Sequence, residues 1–298
     1  MSLIDTILNL AAVLLWFGWR SVQLDPLTRT TPATLVGTLR RAAPRRVGGW
    51  QLLTALGLLL LVRAWLYRQV GPEVDWTPKL DLTFVVLAFR SSRFMPMVLF
   101  SLLSFLRILL ICYAWLLTLT IVNRSNPEPA PIQRMVRQHL GMIARWPRTL
   151  QVVLPFLVVL ALWLALHPLL VQAGVVGHAR ASFHLVEQGL LLGVALCLSL
   201  QYFLPLFLFA HLISSYVYLG TNPLWDFVGV TSRNLLKPLR SVPLRFAKFD
   251  FAPLVGAALI FLLLHWVPNR VMSAMAARNA HNSSPGQKVY VTHWLWPE

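Results

Sequence analysis

The sequence predicts an all-α polytopic transmembrane protein with about six spans, and composition and hydropathy carry that prediction. Of 298 residues, 57% are hydrophobic and 12% are charged, whereas soluble domains carry about 25% charged residues. About 20 apolar residues in a helix cross the hydrocarbon of a bilayer. Six apolar runs approach or exceed that length: Leu3–Trp19, Gln51–Tyr67, Met97–Val122, Leu150–Val171, Gln188–Leu219 and Phe251–Val267. A buried soluble core is the alternative, and it would leave almost no polar surface to cover it.

Individual residues refine these spans in chain order. The first run could be a cleaved signal peptide, but Asp5 stands where such peptides carry a basic residue, which favours a retained helix. Arg63 lies near the far end of the second run and is expected to snorkel to the headgroups. The fifth run is too long for one straight span, and Pro205 is expected to kink it. No GxxxG motif is expected in the spans; Gly193 is expected to stand alone in the same run and allows close helix contact there.

The basic residues of the chain flank the apolar runs. The net charge is +16, and this placement indicates anionic lipid as the partner rather than nucleic acid. The odd-numbered connections between runs hold most of the arginines, so the positive-inside rule places them in the cytoplasm and both termini on the opposite side. The residues expected to face lipid headgroups are Arg40, Arg41, Arg45, Arg46, Arg134, Arg137, Arg145, Arg233, Lys237, Arg245 and Lys248.

A threefold internal repeat is predicted, each unit having an apolar helix, an Asx-Pro pair, an amphipathic basic segment and a second apolar helix. The pairs are Asp25-Pro26, Asn126-Pro127 and Asn222-Pro223. Proline ends the incoming helix, and the Asx side chain can cap the helix that restarts. Pro155 and Pro253 are expected to open the helices that follow.

The segments after the second and third Asx-Pro pairs show helical periodicity. Their apolar positions are Ile132, Met135, Val136, His139, Leu140 and Ile143, and then Leu224, Phe227, Val228 and Leu235. Such helices are expected to lie in the headgroup plane with the apolar face toward lipid. Packing against the ends of the membrane helices is the alternative.

The predicted organisation has six parts. Residues 1–72 form a degenerate hairpin, 73–96 a connecting loop, 97–172 a second hairpin, 173–185 a loop, 186–268 a third hairpin and 269–298 a polar tail. Within the first loop, Asp81–Phe94 is a candidate for a short interfacial or re-entrant element.

The second and third hairpins resemble the YggT family of small integral membrane proteins, which includes YlmG-type proteins. The matching positions are Asn126, Pro127, Pro147, Arg148 and Pro155, and then Asn222, Pro223, Pro238, Arg240, Pro243, Asp250 and Pro253. The resemblance implies no established catalysis. It implies an assembly, organisation or division factor of energy-coupling and cell membranes, with one plastid branch tied to haem attachment.

Histidine is the residue type most suited to hold a cofactor in this chain. His167 and His265 fall at equivalent places in two units, and His211 lies deeper in an apolar run. They are candidate contacts for a haem or pigment, although boundary histidines more often pack with an amphipathic ring at the headgroups. No metal site is expected, and Cys112 and Cys197 are expected to be packing residues.

These observations lead to one functional prediction and one alternative. The chain is expected to be a non-catalytic assembly, scaffold or organisation factor for other integral membrane proteins, in the bacterial inner membrane. The alternative is a stably bound accessory subunit of a respiratory or photosynthetic complex that contacts a haem or pigment. No nucleic acid or small-molecule substrate is expected.

Overall fold

Helices dominate the structure, as the hydropathy predicts. The computed structural model describes residues 2–24, 48–73, 76–124, 131–177, 182–217, 220, 222–241, 245–246 and 249–282. Their helices are α1 (Ser2–Leu24), α2 (Gly49–Glu73), α3 (Phe94–Val122), α4 (Pro131–Leu140), α5 (Arg148–Gln172), α6 (Ser182–Leu198), α7 (Leu200–Tyr216), α8 (Pro223–Leu235) and α9 (Ala252–Asn282). Within these ranges, two 3-10 helices cover Gly141–Arg145 and Lys237–Ser241.

Five helical stretches in the described residues are long and apolar enough to cross a membrane. They are Leu3–Leu24, Gly49–Glu73, Phe94–Val122, Arg148–Gln172 and Phe183–Tyr216. The sixth predicted run corresponds to Ala252–Trp266, a shorter apolar stretch at the start of α9. The helix itself continues to Asn282, so residues 269–282 of the predicted tail are helical. An all-α membrane protein is therefore confirmed.

The long fifth run is broken at Ser199, between α6 and α7, six residues before the expected kink at Pro205. The Ser199 hydroxyl donates to the Leu196 carbonyl at 2.7 Å, and this local bond competes with the helical ladder. Pro205 lies inside α7, where its ring crowds the carbonyl four residues earlier. The two effects act on adjacent turns, and the helix breaks at the serine, ahead of the proline.

The predicted connecting loop contains a β-hairpin. Strands β1 (Lys79–Asp81) and β2 (Val86–Ala88) form a two-stranded sheet. In the turn, the Thr83 N–H donates to Asp81 Oδ1 at 2.8 Å, and Thr83 has a φ of 75°. This Asx turn lies in the segment that is a candidate for a short interfacial or re-entrant element, and that placement stays a prediction. A second small sheet pairs β3 (Arg245–Phe246) with β4 (Phe249–Asp250) antiparallel.

The chain forms two compact units. The described residues of the first fall within Met1–Leu80 and Ala88–Leu110, and those of the second within Asp81–Leu87 and Ile111–Glu298. In the first unit α1 packs along α2. In the second unit α5 packs along α6, α7 packs along α9, and α8 contacts both α4 and α7. The α5–α6 pair thus joins helices that the sequence placed in different hairpins.

The α5–α6 contact depends on two glycines. A Cβ added at Gly193 would lie 3.2 Å from the Phe156 Cα, and one at Gly189 would lie 3.3 Å from the Leu160 Cα. These glycines are four residues apart, the small-xxx-small spacing that brings membrane helices into backbone contact. Close helix contact at Gly193 is confirmed. The expectation that Gly193 stands alone is wrong, because Gly189 completes a GxxxG pair one turn earlier.

Candidate functional site: two buried polar clusters

The first unit encloses an arginine among apolar helices. Arg63 is 1% exposed; its Nη2 donates to Asp5 Oδ1 at 2.8 Å and its Nη1 to Asn9 Oδ1 at 2.7 Å. Nη2 also lies 3.1 Å from the Ser104 hydroxyl, and the Tyr67 hydroxyl donates to the same Asp5 oxygen. We call these five residues the Arg63 cluster. It joins α1, α2 and α3, and its single cation and single anion neutralise each other.

Aromatic rings cover the Arg63 cluster. The Arg63 Cζ lies 5.5 Å from the ring centroids of both Tyr67 and Phe100, a cation–π distance. Trp76 packs edge-on against Tyr67 with centroids 5.1 Å apart, and Phe89 packs on Phe100 at 5.4 Å. These rings reduce the access of water to the ion pair, which strengthens its hydrogen bonds.

Arg63 does not snorkel, contrary to the sequence-based expectation. It lies ten residues before Glu73, the last residue of α2, or about 15 Å along the helix axis, and its guanidinium turns inward. A charge inside a membrane helix is costly unless it is paired, and Asp5 supplies the pair. The sequence held a signal for this pairing: Asp5 is near the start of the first run and Arg63 near the end of the second, which is the same end of an antiparallel hairpin.

The second unit has its own polar cluster, centred on Asn123 at the end of α3. The fully buried Asn123 side chain donates to the Thr231 hydroxyl at 2.8 Å and accepts from Asn234 Nδ2 at 2.9 Å. Its main-chain oxygen accepts from Gln133 Nε2 at 2.6 Å. We call these four residues the Asn123 cluster. It ties the end of α3 to α4 and α8.

The two short helices α4 and α8 bury one face each against neighbouring helices. Val136, Leu140 and Phe227 share a buried cluster with Leu117 of α3 and Phe203 of α7. These buried faces therefore pack against neighbouring helices, which is the alternative that the sequence left open, and they are not turned toward lipid. Gln133 is buried because its side chain donates to the Asn123 carbonyl at the end of α3. Helical periodicity did not assign this polar residue to the buried face.

Each candidate histidine packs on its own neighbour. The buried His167 ring lies edge-on to Trp163 with centroids 5.8 Å apart, whereas the His265 ring stacks on Phe261 at 5.8 Å. Nδ1 of His211 lies 3.8 Å from the position of a Cβ added at Gly229. Among the described residues, no group of three or more His, Cys, Asp or Glu could hold a metal ion. This packing resembles that of boundary aromatic residues, and haem contact stays a prediction.

The family-motif residues lie mostly at helix ends. Asn222 caps α8, its side chain accepting from the Leu224 N–H at 3.0 Å, and Pro223 follows as the first helical residue; the predicted cap is confirmed. Pro147 is the N-cap of α5. Pro155 does not open α5, because the helix begins at Arg148. Pro253 lies in the first turn of α9, and Asp250 ends β4. Pro238 and Arg240 lie in the second 3-10 helix. Asn126, Pro127 and Pro243 lie outside the described residues.

The basic residues expected to face lipid are exposed wherever their side chains are described, apart from one. Arg137 is half-buried on α4, where its Nη2 lies 3.4 Å from the Asn123 main-chain oxygen. The exposed residues are Arg134, Arg145, Arg233 and Lys237. The side chains of Arg40, Arg41, Arg45, Arg46, Arg245 and Lys248 lie outside the described part of the chain.

No protein-family model, curated protein or solved structure matches this chain. The resemblance to the YggT family therefore stays a prediction that rests on the motif residues alone.

Proposed function

We propose that this protein is a non-catalytic integral membrane scaffold that holds other membrane proteins against the outer faces of its helices. The observation that carries the proposal is the internal neutralisation of Arg63. Both terminal nitrogens of its guanidinium are hydrogen-bonded to Asp5, Asn9 and Ser104 within one unit, while the buried Nε makes no hydrogen bond. The arginine therefore stabilises the helix packing. A catalytic or transported group would instead need an ionisable residue with a free face.

The exposed faces of the helices support the same proposal. On α7 the large apolar residues Tyr202, Leu206, Phe209 and Ile213 are exposed, and their spacing of three or four residues places them on one stripe. A stripe of large side chains on a membrane helix can pack against lipid or against another membrane helix. If a partner helix packs on this stripe, the protein can hold that partner without catalysing a reaction.

The predicted alternative, a stably bound accessory subunit that contacts a haem or pigment, would use the same helix faces. It differs in requiring a permanent partner in fixed proportion and a chromophore that purifies with the protein. Absorbance of the purified protein separates the two, because only the cofactor version gives a visible band that changes when His167 and His265 are replaced.

We further propose that the protein lies in a bacterial inner membrane, with anionic lipid at its basic ends. The support is the placement of exposed arginines such as Arg145 and Arg148 next to the start of a span. The positive-inside rule then puts this end in the cytoplasm.

Site-specific photo-crosslinking in native membranes tests the scaffold function. A photoreactive residue is placed at Tyr202, Leu206 or Phe209, and in control chains at Phe203 or Leu208, which are buried on the same helix. We expect a protein adduct of defined mass from the exposed positions and none from the buried ones. Lipid adducts alone, together with migration as a monomer in mild detergent, would refute the scaffold.

A further inference from the structure

Arginines from three segments meet where α3 ends and α5 begins. Arg124 follows α3, and its Nη1 donates to the Trp146 main-chain oxygen at 3.0 Å. Arg137 reaches from α4 to the carbonyl of Asn123, the residue before Arg124. Trp146 in turn lies between Arg145, which ends a 3-10 helix, and Arg148, which begins α5. We call Arg124, Arg137, Arg145 and Arg148 the arginine patch.

The positive charge of the arginine patch is not balanced by the described residues around it. None of the four forms an ion pair with a described carboxylate, in contrast to Arg63, which pairs with Asp5. Two of the guanidinium groups donate to main-chain carbonyls, which leaves donors on each for a further acceptor, since a guanidinium has five N–H groups. The patch is therefore suited to an anion.

The start of α5 adds to this preference. Its first turn holds Arg148 and no acidic residue, and its N-cap is Pro147, which makes no side-chain capping bond. A cation at a helix N-terminus opposes the helix dipole, whereas an anion there is stabilised by the dipole and by the uncapped N–H groups. A bound anion would relieve both the crowding of like charges and the unfavourable placement of Arg148.

The surroundings of the patch identify the source of the anion. The patch lies at the ends of two candidate spans, Phe94–Val122 and Arg148–Gln172, the level at which headgroups meet a bilayer-spanning helix. Large apolar side chains beside it are exposed: Met142 is 81% exposed and Trp146 is 40% exposed. Tryptophan at this level is typical of the membrane interface, and an apolar rim suits acyl chains better than it suits a free ion.

We infer that the arginine patch is a binding site for the phosphodiester of an anionic phospholipid. The guanidinium groups of Arg124 and Arg137 would hold the phosphate oxygens with paired hydrogen bonds, and the acyl chains would lie along the exposed side chains of Met142 and Trp146. A zwitterionic lipid is disfavoured because the four guanidinium groups would repel its ammonium group. This inference rests on the proposed contact with anionic lipid and deepens it by assigning a defined site.

Binding of phosphatidylglycerol to the full-length, delipidated protein in mild detergent tests the inference, with phosphatidylcholine as the reference lipid. Two double variants remove half of the patch each: Arg124→Gln/Arg137→Gln, and Arg145→Gln/Arg148→Gln, which loses no side-chain hydrogen bond within the described residues. The matched control is Arg90→Gln/Arg93→Gln, which removes two exposed arginines near the β-hairpin. Native mass spectrometry counts the bound lipids in each.

We expect Arg124→Gln/Arg137→Gln to bind phosphatidylglycerol roughly tenfold or more weakly, because the charged hydrogen bonds to the phosphate are lost. Arg145→Gln/Arg148→Gln should also bind it more weakly, because two positive charges beside the phosphate are removed. The control should bind like the unaltered protein, and an Arg124→Lys/Arg137→Lys variant should fall between, because lysine keeps charge but not the paired bonds. Equal weakening in the control would reduce the site to diffuse attraction and overturn the inference.

A competition experiment separates the lipid from free phosphate. Inorganic phosphate should not displace phosphatidylglycerol, since it lacks acyl chains to contact Met142 and Trp146. Displacement by inorganic phosphate at matched concentration would overturn the assignment to lipid. None of these results affects photo-crosslinking from α7, so the scaffold function and the lipid site can fail separately.

Discussion

Arg63 on α2 and Asp5 on α1 form an ion pair of 2.8 Å between neighbouring helices. Asp5 keeps some solvent access whereas the Arg63 side chain has none, so the arginine depends on its partner more than the carboxylate does. The pair, with Asn9 and Ser104, fixes the depth at which three apolar helices meet in the first unit. Apolar side chains alone would specify that register weakly, since lipid tails are as apolar as leucine.

Loss of one partner of this pair should destabilise the first unit. In Arg63→Met the Asp5 carboxylate and the Asn9 amide lose their cationic donor, and removing one member of a buried pair costs about 3 kcal/mol or more. Asp5→Asn/Arg63→Met should cost less than the sum of the single changes, because no charge is then stranded. Reversible unfolding in mixed micelles measures both.

Arg68→Met is the matched control, since Arg68 is exposed on the same helix five residues later. It should change the free energy of unfolding by less than about 0.5 kcal/mol, as surface substitutions usually do. Equal stabilities of Arg63→Met and Arg68→Met would show that the ion pair does not hold the helices together.

Enlargement of the glycines between α5 and α6 should loosen that helix pair. An alanine Cβ at Gly189 would lie 2.5 Å from the Leu160 Cδ1, and one at Gly193 would lie 2.8 Å from the Phe156 Cδ1. Both side chains would have to move while the nearby backbone stays tight, which costs about 1–3 kcal/mol. Gly57→Ala is the control, because no atom lies within 4 Å of its added Cβ.

Thermal unfolding in detergent should give Gly189→Ala and Gly193→Ala lower midpoints than the unaltered protein. Gly57→Ala should leave the midpoint unchanged or raise it, because alanine is the better helix former. If all three variants had the same midpoint, the close approach of α5 and α6 would not contribute to stability.

The Asn123 cluster should hold α8 in place. Thr231→Val keeps the shape of the side chain but removes the acceptor for Asn123 Nδ2 and the bond to the Phe227 carbonyl. A buried amide left without its acceptor costs about 1–3 kcal/mol, so we expect faster hydrogen exchange along α8. Thr118→Val removes only a bond to the Ala114 carbonyl of its own helix and should leave exchange in α8 unchanged.

This role for Asn123 would be contradicted if the hydrogen-exchange rates along α8 were the same in Thr231→Val and Thr118→Val. An effect in α8 with none in α4 would still be consistent, because α4 binds the Asn123 main-chain oxygen through Gln133, and that bond survives in Thr231→Val.

The spans were predictable from sequence because hydropathy acts over about 20 residues and needs no knowledge of the packing partner. The Asn222 cap was predictable for a similar reason, since its acceptor and donor are two residues apart. Arg63 was misplaced because its state depends on Asp5, 58 residues away. The break at Ser199 depends on competition among bonds within one turn, which the position of Pro205 alone did not reveal.

The course of α5 across the bilayer gives a prediction about sidedness. With 25 residues, α5 is about 37 Å long, enough to span, so Met142 before it and Gly177 after it should lie on opposite sides. The stretch Phe183–Tyr216 returns as one span, which places Lys237 on the same side as Met142. The positive-inside rule makes that side cytoplasmic.

Single cysteines at Met142, Lys237 and Gly177, in a chain with Cys112→Ala and Cys197→Ala, test this with a thiol reagent that does not cross membranes. Met142→Cys and Lys237→Cys should react in inside-out vesicles, and Gly177→Cys in right-side-out ones. Met142 and Lys237 are exposed and Gly177 lies on an exposed backbone. Because bound acyl chains would slow the reaction at Met142, each variant is judged by which vesicle orientation reacts faster, not by a lack of reaction. Reaction of Met142→Cys and Lys237→Cys from opposite sides would mean that α6 and α7 do not form one crossing, and the proposed cytoplasmic placement of the basic ends would then be wrong.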